Sequence, residues 1–412
     1  MNQPSSPQRP FVLHTRVVTQ TGGGPEKTIL NSPVRLRDYG IDSACAFIHP
    51  PRDEGFDVLR QRAEASGAEI ISVPDRRAID FRVVRQLIRL CKERNVTIWH
   101  GHDYKSNLLG LLVRGFHEMH LVTTAHGWVQ FRDRLPLYYR LDRFFMKWYE
   151  QIVCVSNDLM RTCAAAGIGA DRLTQIDNAI VVDHYDPSPP TMQERGRFGY
   201  GSDHVLVGAV GRLSEEKGFH HLIFAISRLI RDGHPVGLII AGDGPLRQQL
   251  QHQIIDLDLQ GHVQLLGYLR DPVPLYRAID LFALSSLREG LPNALLEAMA
   301  SGRAVVATDC NGVPDVVRHN VNGLIVRRDS SSALYEAMEE CVVSDAMRAR
   351  LASAGRQTIR KQFCFQDRMD RIVDVYRRLA PELASQIHAS VNDQPAGLTQ
   401  QTEQDLQPVA GI

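Results

Sequence analysis

The chain lacks any apolar run long and uncharged enough to span a bilayer, and Met1 to Pro10 lacks the basic-then-apolar order of a secretion signal. Both absences lead us to expect a cytoplasmic protein. Seven cysteines, at Cys45, Cys91, Cys154, Cys163, Cys310, Cys341 and Cys364, include no C-x-x-C pair. A zinc site or disulfide framework is therefore disfavoured, and a reducing compartment fits best. Net charge is lacking too: Lys+Arg and Asp+Glu both total 47. No nucleic-acid footprint covers the whole surface, and no nucleic-acid module is recognisable.

What is present is strand–helix alternation over 412 residues, a length that calls for two cores rather than one. Apolar runs at Phe11–Val18, Ile41–Ile48, Glu69–Val73, Thr97–His100, Leu121–Ala125 and Ile152–Ser156 read as strands. Helical patterns lie between them, including Phe81–Arg94, Ser106–Phe116 and Asn157–Ala166. After Asp186-Pro187-Ser188-Pro189-Pro190 the alternation restarts, with strands expected at Val205–Val210, Val236–Ile240, Val263–Leu266, Leu281–Leu284, Ala304–Ala307 and Gly323–Val326. Repeated units of this kind give parallel sheets covered on both faces, with ligands beyond the strands' C-terminal ends. We therefore expect an α/β protein: a head over 1–10, a first domain over 11–185, a linker over 186–202 and a second domain over 203–366. A helix over 367–380 follows, which could cross back to the first domain, and then a Gln-rich tail over 381–412 expected to be disordered.

Glu289-Gly-Leu-Pro-Asn-Ala-Leu-Leu-Glu297, closing at Gly302, reads as a loop feeding a helix with Pro292 at its first position. Free amides at such a helix start suit a phosphate, and the two glutamates suit hydroxyl groups. An ordinary amphipathic helix with solvated glutamates is the alternative. Gly211-Arg-Leu-Ser-Glu-Glu-Lys217-Gly218 follows the first strand of the second half, so Arg212 and Lys217 could converge on one anion. Pairing of these cations with Glu215 and Glu216 is the competing reading. No Asp-x-Asp run lies near this crevice, so two cations and amides would neutralise a diphosphate without a metal.

Together, Gly22-Gly23-Gly24-Pro25-Glu26, His126 after a strand, the Gly211-to-Gly218 loop, the Gly242-Asp243-Gly244-Pro245 turn and the E-x7-E pair Glu289/Glu297 resemble the retaining GT-B glycosyltransferases of family four. The resemblance runs from Phe11 to about Ala380. It implies two Rossmann-like doubly wound domains facing each other across a cleft, and a sugar moved from a nucleoside-diphosphate sugar to an acceptor hydroxyl. Arg212 and Lys217 match the diphosphate cations, Glu297 the ribose ligand and Glu289 the group near the sugar hydroxyls. The backbone of Gly290, Leu291, Pro292 and Asn293 matches the segment around sugar and phosphates. Gly23 and Gly24 match the loop approaching the diphosphate, where a side chain would obstruct it. His126 matches a residue at the reacting face.

No cofactor beyond the donor is expected. On the acceptor side, His102, Asp103 and Lys105 are weak candidates beside His100, with metal binding there the poorer reading. The acceptor is expected to be a saccharide or a lipid-linked one. Arginines and aromatics between Phe131 and Tyr149 could rest on an anionic inner-membrane face, or bury their rings against the sheet. The alternatives to transfer are a GT-B sugar-nucleotide epimerase and a catalytically silent nucleotide-sugar-binding protein.

Overall fold

The computed structural model describes residues 10–19, 24–76, 80–127 and 135–381. The first half forms a seven-stranded parallel sheet from β1 (Phe11–Val17), β2 (Asp42–His49), β3 (Ile70–Pro74), β4 (Val96–Gly101), β5 (His120–Ala125), β6 (Gln151–Cys154) and β7 (Leu173–Gln175). Its spatial order is β3-β2-β1-β4-β5-β6-β7. The second half forms a six-stranded parallel sheet from β8 (Val205–Val210), β9 (Val236–Ala241), β10 (Val263–Gly267), β11 (Leu281–Leu284), β12 (Ala304–Thr308) and β13 (Leu324–Val326). Its order is β10-β9-β8-β11-β12-β13.

Both orders reverse direction once, between β1 and β4 and between β8 and β11. Connections leave to opposite sides at such a point, so the loops part and open a crevice beyond the strand ends. Strand interiors carry continuous apolar runs because helices cover both faces; Val236–Ala241 is buried throughout. The helix Phe219–Arg231 follows β8 and lays Phe219, Leu222, Ile223, Ile226 and Leu229 on the second sheet at helical spacing. The C-terminal helix Phe365–Leu379 instead buries Phe365, Met369, Ile372, Val373 and Tyr376 among Val12, Ile98, Val122 and Val153 of the first sheet.

The strands over Val205–Val210 and Leu281–Leu284 match expectation at both ends, the other expected strands differ by one or two residues, and β7 was not expected. Pro292 caps the helix Asn293–Ala300 rather than opening it, because its ψ of 113° is still extended. The first helix begins at Gly24, three residues before Lys27, and so takes in part of the expected glycine loop. Helices over Glu54–Ser66, Ser331–Val343 and Asp345–Gln362 were not anticipated. Glu54–Ser66 buries only Phe56, Leu59 and Ala63, a stripe too thin to stand out from its charged neighbours. The expected tail lies outside the described residues.

Candidate active site

The loops after β8 and β11 are tied together. Leu287 N–H donates to the Glu216 carbonyl at 2.8 Å, and Ser285 Oγ donates to the Lys217 carbonyl at 2.8 Å. Lys217 Nζ then lies 2.5 Å from Glu289 Oε1, which also accepts from Ser286 Oγ at 2.6 Å. Lys217 thus pairs across the site and not with Glu215 or Glu216. Arg212 is exposed and has no ion-pair partner among the described residues. The cations differ in readiness: Arg212 is free for an anion, and Lys217 must share its charge with Glu289.

Glu297, the fifth residue of the helix Asn293–Ala300, is 2% exposed. Its carboxylate binds Lys27 Nζ at 2.7 Å and accepts from Tyr276 OH at 2.8 Å. Burial, then the Glu297 charge, holds the Tyr276 and Tyr185 phenols well above their ordinary range. Two further bonds join the halves here. Asn293 Nδ2 donates to the Gly24 carbonyl at 2.8 Å, and Asn178 Nδ2 donates to the Leu291 carbonyl at 2.9 Å. The Oδ1 atoms of Asn293 and Asn178 are buried without a partner among the described residues.

Close approach of backbones occurs at Gly290, where a Cβ would collide with the His126 carbonyl oxygen. At Gly24 a Cβ would sit 3.5 Å from Asn293 Nδ2, an ordinary contact with the protein. Gly23 lies outside the described residues.

On the first sheet, His126 follows β5 and places Nε2 3.0 Å from His102 Nδ1. His102 is buried and its Nε2 lies 3.1 Å from His14 Nδ1. Asp103 is given over to structure. It caps the helix Tyr104–Arg114 by accepting from Lys105 and Ser106 N–H at 2.9 Å, and accepts from Val17 N–H at 2.6 Å. Burial raises its carboxyl above the ordinary value despite these bonds. Lys105 is buried against Asp75. In this structure Asp103 and Lys105 are engaged with the protein itself, and His102 with the two neighbouring histidines.

Sequence reasoning missed Lys27, Tyr276, Asn178, Ser286 and His14. Lys27 and Asn178 gain their roles only when the two halves meet, and His14 faces His100 through the parallel register of β1 and β4. A histidine directly after the apolar run Phe11–Leu13 was the available signal for His14.

Two doubly wound sheets with their charged switch-point loops directed at one another constitute the GT-B architecture. The Glycosyltransferase Family 4 model matches residues 22–184, and the Glycosyl transferases group 1 model matches residues 193–358. The chain belongs to family four of the GT-B glycosyltransferases. It is 35% identical over 186 residues to the lipopolysaccharide core biosynthesis glycosyltransferase LpsE of Rhizobium meliloti, a match spanning 45% of this chain and 52% of that one. It is 25% identical to a GDP-mannose-dependent phosphatidylinositol monomannoside mannosyltransferase of Mycobacterium tuberculosis, over 80% of this chain and 89% of the relative. Anabaena Alr3699/HepE, solved with UDP and glucose, superposes with a TM-score of 0.80 at 21% identity, over 90% of this chain and all of that one. Among the described residues, no helix is long and apolar enough to cross a membrane.

Proposed function

We propose that the protein transfers a sugar from a nucleoside-diphosphate sugar to an acceptor hydroxyl, with retention of the donor's anomeric configuration and without a metal ion. The observation that carries this reading is the convergence of Lys217, Glu289 and the start of the helix Asn293–Ala300 at the second switch point, facing His126 at the first. The helix start supplies N–H groups with no intrahelical partner. A diphosphate arriving there exchanges the Lys217–Glu289 pair for a Lys217–phosphate pair and meets the free Arg212. Glu289, released, accepts from sugar hydroxyls, and Glu297 accepts from ribose in place of Lys27.

In a front-face displacement the acceptor attacks from the side the diphosphate leaves, and the departing phosphate oxygen takes the acceptor proton. Catalysis then consists of stabilising that leaving group by preorganised charge. The relatives' names, with GDP-mannose in one and UDP with glucose in another, support a nucleotide-sugar donor.

We further propose a saccharide or lipid-linked acceptor reached by peripheral contact with a membrane. Phe144 and Trp148 are half exposed, stacked edge-on at 4.4 Å, and flanked by Arg140, Arg143 and Lys147, while Met146 and Tyr149 turn inward. Phe131–Arg134 lie outside the described residues. Purified protein screened against nucleoside-diphosphate sugars tests the reading: release of diphosphate only with an acceptor supports it. Epimerised donor without transfer, or binding without turnover, would replace it with the corresponding alternative.

A further inference from the structure

One region of the second half takes no part in the proposed reaction. A cavity of about 580 Å³ lies between the linker at 187–190 and the helix Asp345–Gln362. Asp280 and Arg303 in its lining directly precede β11 and β12, so it stands at the edge of the second sheet opposite the loops that carry Lys217 and Glu289. We propose that this cavity is a second anion site, separate from the donor site, that takes a phosphate monoester.

Four guanidiniums, of Arg303, Arg348, Arg356 and Arg360, line it against two carboxylates, of Asp280 and Asp345. Both carboxylates are already paired: Asp280 with Arg195 at 2.5 Å and with Leu206 N–H at 2.8 Å, and Asp345 with Arg348. Arg303 is buried and donates from its three nitrogens to the carbonyls of Ser301, Ile279 and Ser188. Arg356 Nη1 donates to the carbonyls of Tyr185, at 3.0 Å, and Ala300. Carbonyls satisfy these N–H groups without cancelling their charge. Arg360 is exposed and bonds to no group among the described residues.

Three cations thus share one cavity with no carboxylate in contact among the described residues. Nearby Glu194 and Asp186 pair with Arg277, at 2.5 and 3.7 Å. Asp183 and Asp186 offset the cations only in part: burial, then the Arg360 charge, lowers the Arg356 guanidinium, and burial holds Arg303 down to about 10. A bound anion counters both effects.

The shape suits a phosphate carried on a small body. Ala349, Ala352, Ser353, Arg356, Gln357 and Arg360 recur at three and four residues and so present one face of their helix. Nε and Nη2 of Arg356 and the whole Arg360 fork bond to no described residue, and two forks one turn apart can grip the oxygens of one phosphate. Pro187, Pro189 and Pro190 form an apolar wall across from them, with room for the rest of the molecule. That wall is fixed closely: Gly302 has φ 67°, and a Cβ there would come within 3.1 Å of the Pro187 carbonyl. The competing reading is that the arginines only pin the linker and cap the last carbonyls of the helix Asn293–Ala300. It accounts for Arg303 and for Arg356 Nη1, but gives Arg360 nothing to do.

Calorimetric titration of the full-length protein with inorganic phosphate separates the two. Native protein should bind phosphate at a site that persists in Arg212→Ala/Lys217→Ala and weakens about tenfold in Arg360→Gln, the loss of one charge-assisted contact. Because Arg360 holds no part of the linker, Arg360→Gln should melt at the native temperature in phosphate-free buffer and lack the rise that phosphate gives the native protein. Glycerol 3-phosphate and phosphatidic acid vesicles then distinguish the sources: competition by the first identifies a free ester, and by the second alone a lipid headgroup. No phosphate uptake, uptake abolished in Arg212→Ala/Lys217→Ala, or an affinity unchanged in Arg360→Gln would overturn the proposal. No sugar transfer is read, so a failed donor screen leaves this site to be decided by the titration.

Discussion

Beyond β1 and β4 the chain buries imidazoles that bond to one another, whereas beyond β8 and β11 it sets a partly buried ammonium against a carboxylate and leaves a guanidinium with no ion-pair partner among the described residues. The first crevice sets neutral imidazoles beside the Arg16–Glu26 pair, and the second carries the Lys217–Glu289 pair and an exposed arginine. Charge in a low-dielectric cleft acts strongly on a diphosphate, while neutral donors and acceptors suit sugar hydroxyls. The contrast implies that leaving-group chemistry belongs to the second sheet and orientation of the sugar to the first.

The largest effect expected from this contrast is on acid stability. His14 is pushed down to about 3, by burial and then by Arg368, and His100, His102 and His126 are lowered by burial as well. An unfolded histidine titrates near 6.5, so below that pH the unfolded chain binds more protons than the native one. The stabilisation is complete above about pH 6.5 and is lost as pH falls toward the native values, at up to about 1.4 kcal/mol per ring per pH unit. Denaturant midpoints should drop steeply between pH 6.5 and 5, and His14→Asn should flatten the slope. A flat profile would mean that the cluster accepts protons in place, and the neutral side of the comparison would fail.

At the ionic side, Lys217→Ala should lower kcat by about 100-fold at saturating donor, the order found on removing one stabilising donor from a transition state. Glu289→Gln in the same background separates loss of phosphate stabilisation from harm done by an unpaired Glu289. If kcat stays near normal with the site filled, the second sheet does not carry the leaving group. A smaller effect is expected at Glu297→Ala, about tenfold in donor KM from lost hydrogen bonds to a carboxylate, with kcat less altered.

The sheets and the ionic loop were legible in the sequence because their signals are local. Leu281–Leu284 is an apolar run between Asp280 and Ser285, and Glu289 and Glu297 keep a fixed spacing on one loop and helix. The residues that bridge the halves were not legible. Nothing near Lys27 in sequence announces a carboxylate 270 positions away, and the histidine chain needs the pairing of β1 with β4 and β5 to exist. The contacts of Asp103 and Lys105 were not legible for the same reason: a polar cluster after a strand looks alike whether it faces a ligand or caps a helix. Only the hydrogen bonds from Val17, Lys105 and Ser106 tell the two apart.

The smallest expected effect lies where the two regions touch. Lys27 belongs to the first half and Glu297 to the second, so the 2.7 Å pair between them both joins the halves and fills the position assigned to ribose. The Lys27 side chain is 34% exposed, which limits the pair to a surface-like strength of about 0.2–1 kcal/mol. If ribose displaces Lys27, Lys27→Met should tighten nucleoside diphosphate binding by up to about fivefold and leave kcat unchanged, because the leaving-group cations are elsewhere. Titration of the variant with diphosphate, beside a kinetic KM, gives the sign. Weaker binding would place Lys27 among the donor's own ligands, and the division between a neutral first sheet and an ionic second would then have to be redrawn at this residue.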